Sequence, residues 1–362
     1  EFLMLNTQYR RGKVKLAYSK KQIQKAGDCI RKNEGDIEQA IEVVRNFRAA
    51  HLYPLTIIKN LVWLHTKKVA PTSIIARRLK RLPTIIDKLR RSTLDGNKAN
   101  ALNLKRMQDI GGCRVILLGK EQLIQLNESL DNSKTIHTTI RVKDYTVEKK
   151  STGYRGIHRI YKCYDQKEDH PWKNFHIEVQ LRTKLQHIWA TTVEIVDLCE
   201  NKTLKTNPFD ADKDWIEYFT IMSDFLAEED GFIHLNNETK NKMTRRIKSL
   251  NVKLNAYNKL ASFRAVFSRS DVLKKSEGKS LAVLAIDNEN RKVAYYFYDK
   301  GKKNEALKMY NKVEDEDQKN ALFVEMDDIK NLKSAYPNYL LDTSAFLNKY
   351  QAYITNTYWQ KP

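Results

Sequence analysis

The chain has 362 residues, a formal net charge of +21, and 41% apolar and 10% aromatic residues. Such a chain can bury the cores of two or three domains, which excludes an intrinsically disordered protein. No apolar run approaches the roughly 18 residues that span a bilayer and no charged-then-apolar leader opens the sequence, so neither a membrane anchor nor a secretion signal is expected.

Cys29, Cys113, Cys163 and Cys199 are too scattered for a zinc knuckle or a C-x-x-C pair, and reduced thiols in the cytoplasm are the plain reading. The charge is uneven. Residues 1–200 hold 38 Lys+Arg against 21 Asp+Glu, and residues 201–362 hold 27 against 23. A basic half joined to a near-neutral half points to a polyanionic partner for the first half.

In chain order, apolar residues recurring at three and four predict helices over 19–50, with Asn33-Glu34-Gly35 separating two of them. Pro54 opens another helix through about Lys67. Pro71 reads as a helix start. Residues 73–91 then read as one amphipathic helix, with Ile74, Ile75, Leu79, Leu82, Ile85, Ile86 and Leu89 on one side and basic residues over the rest, kinked or restarted at Pro83. From residue 109 the texture becomes mixed α/β. Strands are expected at Arg114–Leu118, His158–Tyr164 and Phe175–Arg182, and helices at 120–130 and Lys184–Cys199, the domain ending near residue 200. Residues 213–268 read as helical with a loop around Gly231, and Lys274–Lys279 as a linker. A small α/β unit follows. Its strands are Leu281–Ile286, Val293–Tyr298 and Ala321–Met326, with Asp287–Asn290 as hairpin chemistry, a helix at Asn304–Glu314, and Asp327 and Asp342 as N-caps of two last helices.

Four segments could carry chemistry. Alternation along Phe175–Arg182 puts His176, Glu178, Gln180 and Arg182 on one strand face, a carboxylate, an amide and a guanidinium in register. Asp109-Ile-Gly-Gly-Cys-Arg114 places a carboxylate at a strand edge beside two glycines, and Glu178 would complete an oxygen site for Mg²⁺. Asp144–His158 is a loop with Lys149, Lys150, Gly153, Tyr154 and Arg155, able to stack a base and grip phosphates. Arg78–Lys88 offers an Arg to stack on a purine and lysines to neutralise phosphates. Each alone also fits a plain element: a half-buried strand, a turn, a hydrophilic loop, a solvated helix face.

Together, in this order, they resemble the synthetase domain of the RelA/SpoT family of pyrophosphokinases. The residues are Arg78, Lys80, Thr84 and Lys88; Asp109 to Arg114; Asp144, Tyr145, Lys150, Gly153, Tyr154, Arg155 and His158; and Glu178, Gln180, Arg182, Thr183, His187, Trp189 and Ala190. Lys149 stands where the family has Pro, and Thr152 where it has Asn, which makes the acceptor loop more basic. The resemblance implies an α+β fold, a mixed-sheet nucleotidyltransferase-like domain flanked by helices. It implies ATP as donor and Mg²⁺ as cofactor. Arg78 would stack on adenine, with Lys80, Lys88 and Arg114 on the ATP phosphates. Asp109 and Glu178 would be the catalytic, Mg²⁺-binding carboxylates, with Glu178 the base for the acceptor hydroxyl. Tyr154 would stack on the acceptor base, and Lys150, His158, Gln180 and Arg182 would position the acceptor.

The layout beyond the core resembles the CapRel-like fused toxin–antitoxin branch of that family. The expected division is 1–70 N-terminal helices, 71–200 pyrophosphokinase core, 201–273 connecting helices and 274–362 a small α/β antitoxin and phage-sensing domain. The implied acceptor is the 3′-CCA end of tRNA in the bacterial cytoplasm. Tyr336 and Tyr339 would be the autoinhibitory pair, and a phage protein such as a major capsid protein the trigger. Lys20, Lys21, Lys59, Lys67, Lys68, Arg77, Arg81, Arg90 and Arg91 would form a tRNA patch. The alternatives are a small alarmone synthetase making (p)ppGpp from ATP and GDP/GTP, and a decayed, non-catalytic binder.

Overall fold

The computed structural model describes residues 13–91, 102–199, 212–267, 279–287, 292–314, 319–325 and 343–355. Ser19 begins helix α1 (Lys20–Lys32) with a reciprocal cap: its hydroxyl accepts from the Gln22 N–H, and the Gln22 side chain accepts from the Ser19 N–H. Asn33, in the left-handed conformation at φ 58°, ends it. Asp36 caps α2 (Ile37–Ala50), and α3 (Leu52–Val69) follows through His51. The break at residues 33–35 and the helix around Pro54 stand as the sequence predicts.

The single helix expected over 73–91 does not form, and Pro71 starts no helix. Residues Ile74–Leu79 are strand β1, and only Leu82–Arg90 is helix (α4), with Pro83 in its first turn. β1 lies in the middle of a sheet, paired antiparallel with β2 (Gly111–Leu117) from Ile74↔Ile116 to Leu79↔Gly111. Its β-branched, buried start suits that place, and pairing on both sides overrides a helical apolar spacing that fits either state. β2 includes both glycines of the Gly111-Gly112 pair and runs parallel to β5 (His176–Thr183). Gly111 is required by close packing, because a β-carbon there would lie 2.6 Å from Ile177 Cδ1. Helix α5 (Lys120–Asp131) leads to β3 (Thr138–Asp144), an exposed polar edge strand that the sequence did not announce, and then to β4 (Ile157–Lys162). Helix α6 (Lys184–Cys199) continues directly from β5.

Beyond the core lie α7 (Lys213–Glu229), α8 (Asn237–Leu254) and α9 (Ala256–Phe267), then β6 (Leu281–Asp287), β7 (Lys292–Tyr298), α10 (Lys303–Glu314), β8 (Lys319–Glu325) and α11 (Ser344–Ile354). One eight-stranded mixed sheet, ordered β3-β4-β5-β2-β1-β8-β6-β7, runs through the molecule. The fold is α+β. The C-terminal strands extend the core sheet through β8, where Arg77 pairs with Glu325 across β1. Helix α11 does not stay with those strands. Its Phe346, Leu347, Tyr350 and Tyr353 enter the core built by α6 to α9, beside Trp215, Tyr218 and Phe219. Tyr336, Tyr339, Asp327, Asp342 and most of the expected linker lie outside the described residues. No helix among the described residues is long and apolar enough to cross a membrane.

Candidate active site

Two cross-strand rows build the site. In the first, Arg78 of β1 lies opposite Gly112 of β2, which lies opposite Glu178 of β5. In the second, Ala76, Arg114, Gln180 and His158 follow one another across β1, β2, β5 and β4. Gly112 has nothing nearer than 3.9 Å around its missing β-carbon, so the first row keeps an open floor between a guanidinium and a carboxylate. Above these rows is a cavity of about 440 Å³. Arg78, Lys80, Lys88, Asp109, Arg114, Lys150, Tyr154, His158, Glu178, Gln180 and Arg182 all line it, so the four sequence segments converge. Thr84, Arg91 and Thr152 line it as well.

One end of the cavity is cationic. Lys88 Nζ lies 2.9 Å from both Asp109 carboxylate oxygens, and Lys80 Nζ is 3.1 Å from Oδ2. Burial alone would raise the Asp109 pKa, but the two ammonium groups outweigh it and hold the carboxyl below its ordinary value. Burial lowers the Lys80 pKa, with Asp109 opposing it.

The other end is a closed ring of side-chain hydrogen bonds. The Gln180 amide donates to Glu178 Oε2 at 2.7 Å, and His158 Nδ1 lies 2.8 Å from Glu178 Oε1. Tyr154 Oη meets His158 Nε2 at 2.5 Å, Arg182 Nε donates to Tyr154 Oη at 3.2 Å, and Arg182 Nη2 donates to Gln180 Oε1 at 2.9 Å. Burial lowers the His158 pKa, so the imidazole is neutral at pH 7. Burial pushes the Glu178 pKa up, but hydrogen bonding from His158 leads the opposing effects, and the net direction is down. An ionised Glu178 accepts the Nδ1–H, which leaves Nε2 to accept from the tyrosine, whose oxygen accepts from Arg182. Every proton in the ring thus has one consistent place. Arg182 Nη1 remains a buried donor with no partner among the described residues, which suits an anionic ligand.

The loop between β3 and β4 is strapped to helix α7. Lys149 Nζ is 2.5 Å and Arg155 Nη2 2.8 Å from Asp224 Oδ1, and Ser223 Oγ donates to the Gly153 carbonyl at 2.6 Å. Gly153 has φ +90°, and a β-carbon there would touch Trp189 and Thr220 at 3.0 and 3.2 Å. Lys149 and Arg155 share the Asp224 carboxylate, a partner that no local sequence signal discloses, and this single negative charge offsets only part of the basicity of the loop. Tyr154 is also not placed as an open stacking platform. Its ring is 3% exposed, with the Lys150 and Arg182 cations each 5.1 Å from its centroid.

Of the residues expected to form a nucleic-acid patch, Arg77 is buried, and Lys67 and Arg90 are exposed while each also makes a hydrogen bond within the protein. Arg77 is buried on the opposite face of β1 from Arg78, donating to Thr56 Oγ1 at 2.5 Å. Arg90 holds Asn33 Oδ1 at 3.2 Å, and Lys67 holds the Pro71 carbonyl at 3.0 Å. Lys20, Lys21, Lys68 and Arg91 are exposed, and Lys59 and Arg81 are half-buried.

No group of three or more His, Cys, Asp or Glu side chains that could hold a metal occurs among the described residues. Asp109 and Glu178 nonetheless share one cavity, and two carboxylates fit Mg²⁺, which binds one or two of them together with substrate phosphates.

Residues 77–196 match the family model described as the region found in RelA / SpoT proteins. GTP pyrophosphokinase YjbM of Bacillus subtilis (strain 168) is 28% identical over 122 residues, which are 34% of this chain and 54% of that protein. The chain thus spans about half the length of that curated relative. Among solved structures, small alarmone synthetase 1 from Bacillus subtilis, bound to its product pppGpp, aligns at 20% identity. The match has a TM-score of 0.39 and covers 50% of this chain and 91% of that one. Small alarmone synthetase 2 from Bacillus subtilis aligns at 17% identity and TM-score 0.40, covering 54% and 95%.

Proposed function

We propose that this chain, with the RelA/SpoT region at residues 77–196, is an ATP-dependent pyrophosphokinase. The observation that carries the reading is the polarity of one cavity, with lysines and an aspartate at one end and an ionised carboxylate hydrogen-bonded to a neutral histidine at the other. Arg78 packs on the adenine, and Lys80, Lys88 and Arg114 hold the ATP phosphates. Glu178 takes the proton of an acceptor 3′-hydroxyl. The 3′-oxygen bonds to the β-phosphorus, the bond between that phosphorus and the α-bridging oxygen breaks, and AMP leaves. Rate enhancement comes from positioning and charge neutralisation. Mg²⁺ at Asp109 and Glu178 would supply further neutralisation of the phosphate charge.

The acceptor we propose is the 3′-CCA end of tRNA, supported by the basic first half of the chain and the exposed Lys20, Lys21, Lys68 and Arg91. A guanosine nucleotide is the second reading, favoured by the Lys149–Asp224 pair, which takes one cation out of the acceptor loop. In the first reading the protein is an autoinhibited toxin of the bacterial cytoplasm. Its C-terminal part, including Tyr336 and Tyr339, restrains it until a phage protein such as a capsid protein binds, and translation then stops. The extension of the core sheet by β8 supports a restraint that acts on the synthetase core.

The test offers γ-labelled ATP with bulk tRNA and with GDP/GTP to the full chain and to a Tyr336→Ala, Tyr339→Ala variant. Label on tRNA that rises in the variant supports the toxin. Label on guanosine nucleotide supports the alarmone synthetase. No transfer to either by a folded protein that binds ATP overturns both.

A further inference from the structure

Arg48 is a buried residue of α2 that the sequence did not single out. Its Nε donates to the Lys80 carbonyl at 2.6 Å. Its Nη2 donates to the Tyr310 hydroxyl, and its guanidinium carbon lies 4.8 Å from the centre of the same ring. Tyr310 belongs to α10, in the small core with Phe323 of β8. One side chain thus touches both the C-terminal unit and the backbone of a cavity lysine.

Lys80 sits where β1 ends and α4 has not begun, so neither element fixes it alone. Its N–H donates to the Ile110 carbonyl at 2.7 Å, and its C=O takes the Arg48 bond. With both peptide groups held, its side chain reaches Asp109, the neighbour of Ile110. A cation needs its hydrogen-bond partners when buried, so a shift of Tyr310 moves Arg48, and a shift of Arg48 releases one of the two backbone restraints on Lys80. The β1–β8 pairing at Arg77↔Glu325, three residues before Lys80, ties the same stretch to the same unit independently.

We infer that Arg48 is a positioning residue for Lys80 and that Tyr310 sets it, so that the C-terminal unit acts on the phosphate-holding end of the cavity. The consequence for ATP rests on the proposed pyrophosphokinase reading, whereas the link from Tyr310 to Lys80 does not.

The experiment compares the full chain with Tyr310→Phe, which removes only the hydroxyl, Tyr310→Ala, which also removes the ring, and Arg48→Lys. Trace acetylation followed by mass spectrometry reads the reactivity of Lys80 against exposed Lys253, and titration with a non-hydrolysable ATP analogue reads donor affinity. Lys80 should label about three- to tenfold faster in Tyr310→Ala, less so in Tyr310→Phe, with Lys253 unchanged, and analogue affinity should fall by a similar factor. If Arg48 merely fastened α10 to α2, melting temperatures would drop while Lys80 labelling stayed at the wild-type rate, and that result overturns the inference. Should Tyr310→Ala fail to fold, Tyr310→Phe decides. A changed Lys80 rate in a protein that binds no ATP analogue leaves the link standing and removes the pyrophosphokinase reading instead.

Discussion

Lys149 and Asp224 are 75 residues apart in the chain, and their charged atoms meet at 2.5 Å. The pair fastens the loop between β3 and β4 to a helix outside the motif region, and Arg155 adds a second bond to the same carboxylate. Asp224→Asn should loosen the loop without touching the ATP end. The Michaelis constant for the acceptor should rise about tenfold, as expected for weakened bonds to charged groups, with ATP affinity unchanged. Steady-state kinetics with each substrate varied in turn separates the two.

Tyr154 donates to His158 and accepts from Arg182, so its hydroxyl closes the ring that orients Glu178. Tyr154→Phe leaves a buried imidazole nitrogen and a guanidinium nitrogen each short of a partner, a cost of about 1–3 kcal/mol. The variant should fold, melt lower and lose turnover. If the tyrosine acts chiefly by stacking on an acceptor base, Tyr154→Phe should instead keep near-normal turnover while Tyr154→Ala does not.

Asp109 is the only carboxylate that the structure places against Lys80 and Lys88 among the described residues. Asp109→Asn should leave the lysines more free to hold phosphate while removing a hard oxygen donor. ATP binding without Mg²⁺ should persist or tighten, and Mg²⁺-dependent turnover should fall by about 100-fold or more. Isothermal titration with and without Mg²⁺, set beside turnover, checks both halves.

Buried His51 and half-buried Asp230 give opposite pH dependences. His51 donates from Nδ1 to the Phe47 carbonyl, and burial lowers its pKa to about 4. Below pH 6.5 the unfolded chain takes up this proton and the folded one does not, so stability falls as pH drops towards 4, by up to about 3 kcal/mol. Asp230 accepts from the Thr183 hydroxyl, and burial pushes its pKa up to about 7. Between roughly pH 4 and 7 the folded chain keeps this proton and the unfolded one has lost it, so stability falls as pH rises, by up to about 4 kcal/mol. The wild type should therefore show a shallow profile from pH 4.5 to 7. Asp230→Asn should be more stable at pH 7.5 and lose stability steeply on acidification. Denaturant unfolding at stepped pH reads both slopes.

Phe346, Tyr350 and Tyr353 of α11 are fully buried among α6 to α9. Phe346→Ala should lower stability by about 3–5 kcal/mol. A fragment ending near residue 270 should expose Tyr218 and Phe219 and aggregate, which light scattering would detect.

The sequence by itself determined the elements with local signatures. Asn33-Glu34-Gly35 separates two helices because a chain break of this kind is a matter of neighbours, and the alternation of Phe175–Arg182 assigns Glu178, Gln180 and Arg182 to one face because strand geometry has a fixed period. The family resemblance carried by the motif order also named the residues that the fold brings to one cavity, from Arg78 to Arg182.

Only the tertiary structure decided that Ile74–Leu79 is a strand, since its apolar spacing fits helix or strand until β2 and β8 flank it. That one change separates Arg77 from Arg78, buries the first and gives the second to the cavity. The pairing of Lys149 with Asp224, the reach of Arg48 from Lys80 to Tyr310 and the return of α11 to the helical core depend on contacts between residues far apart in the chain. No periodicity encodes such contacts. They arise because buried charges must find partners and apolar faces must find cover, and which partner is near is a property of the folded chain.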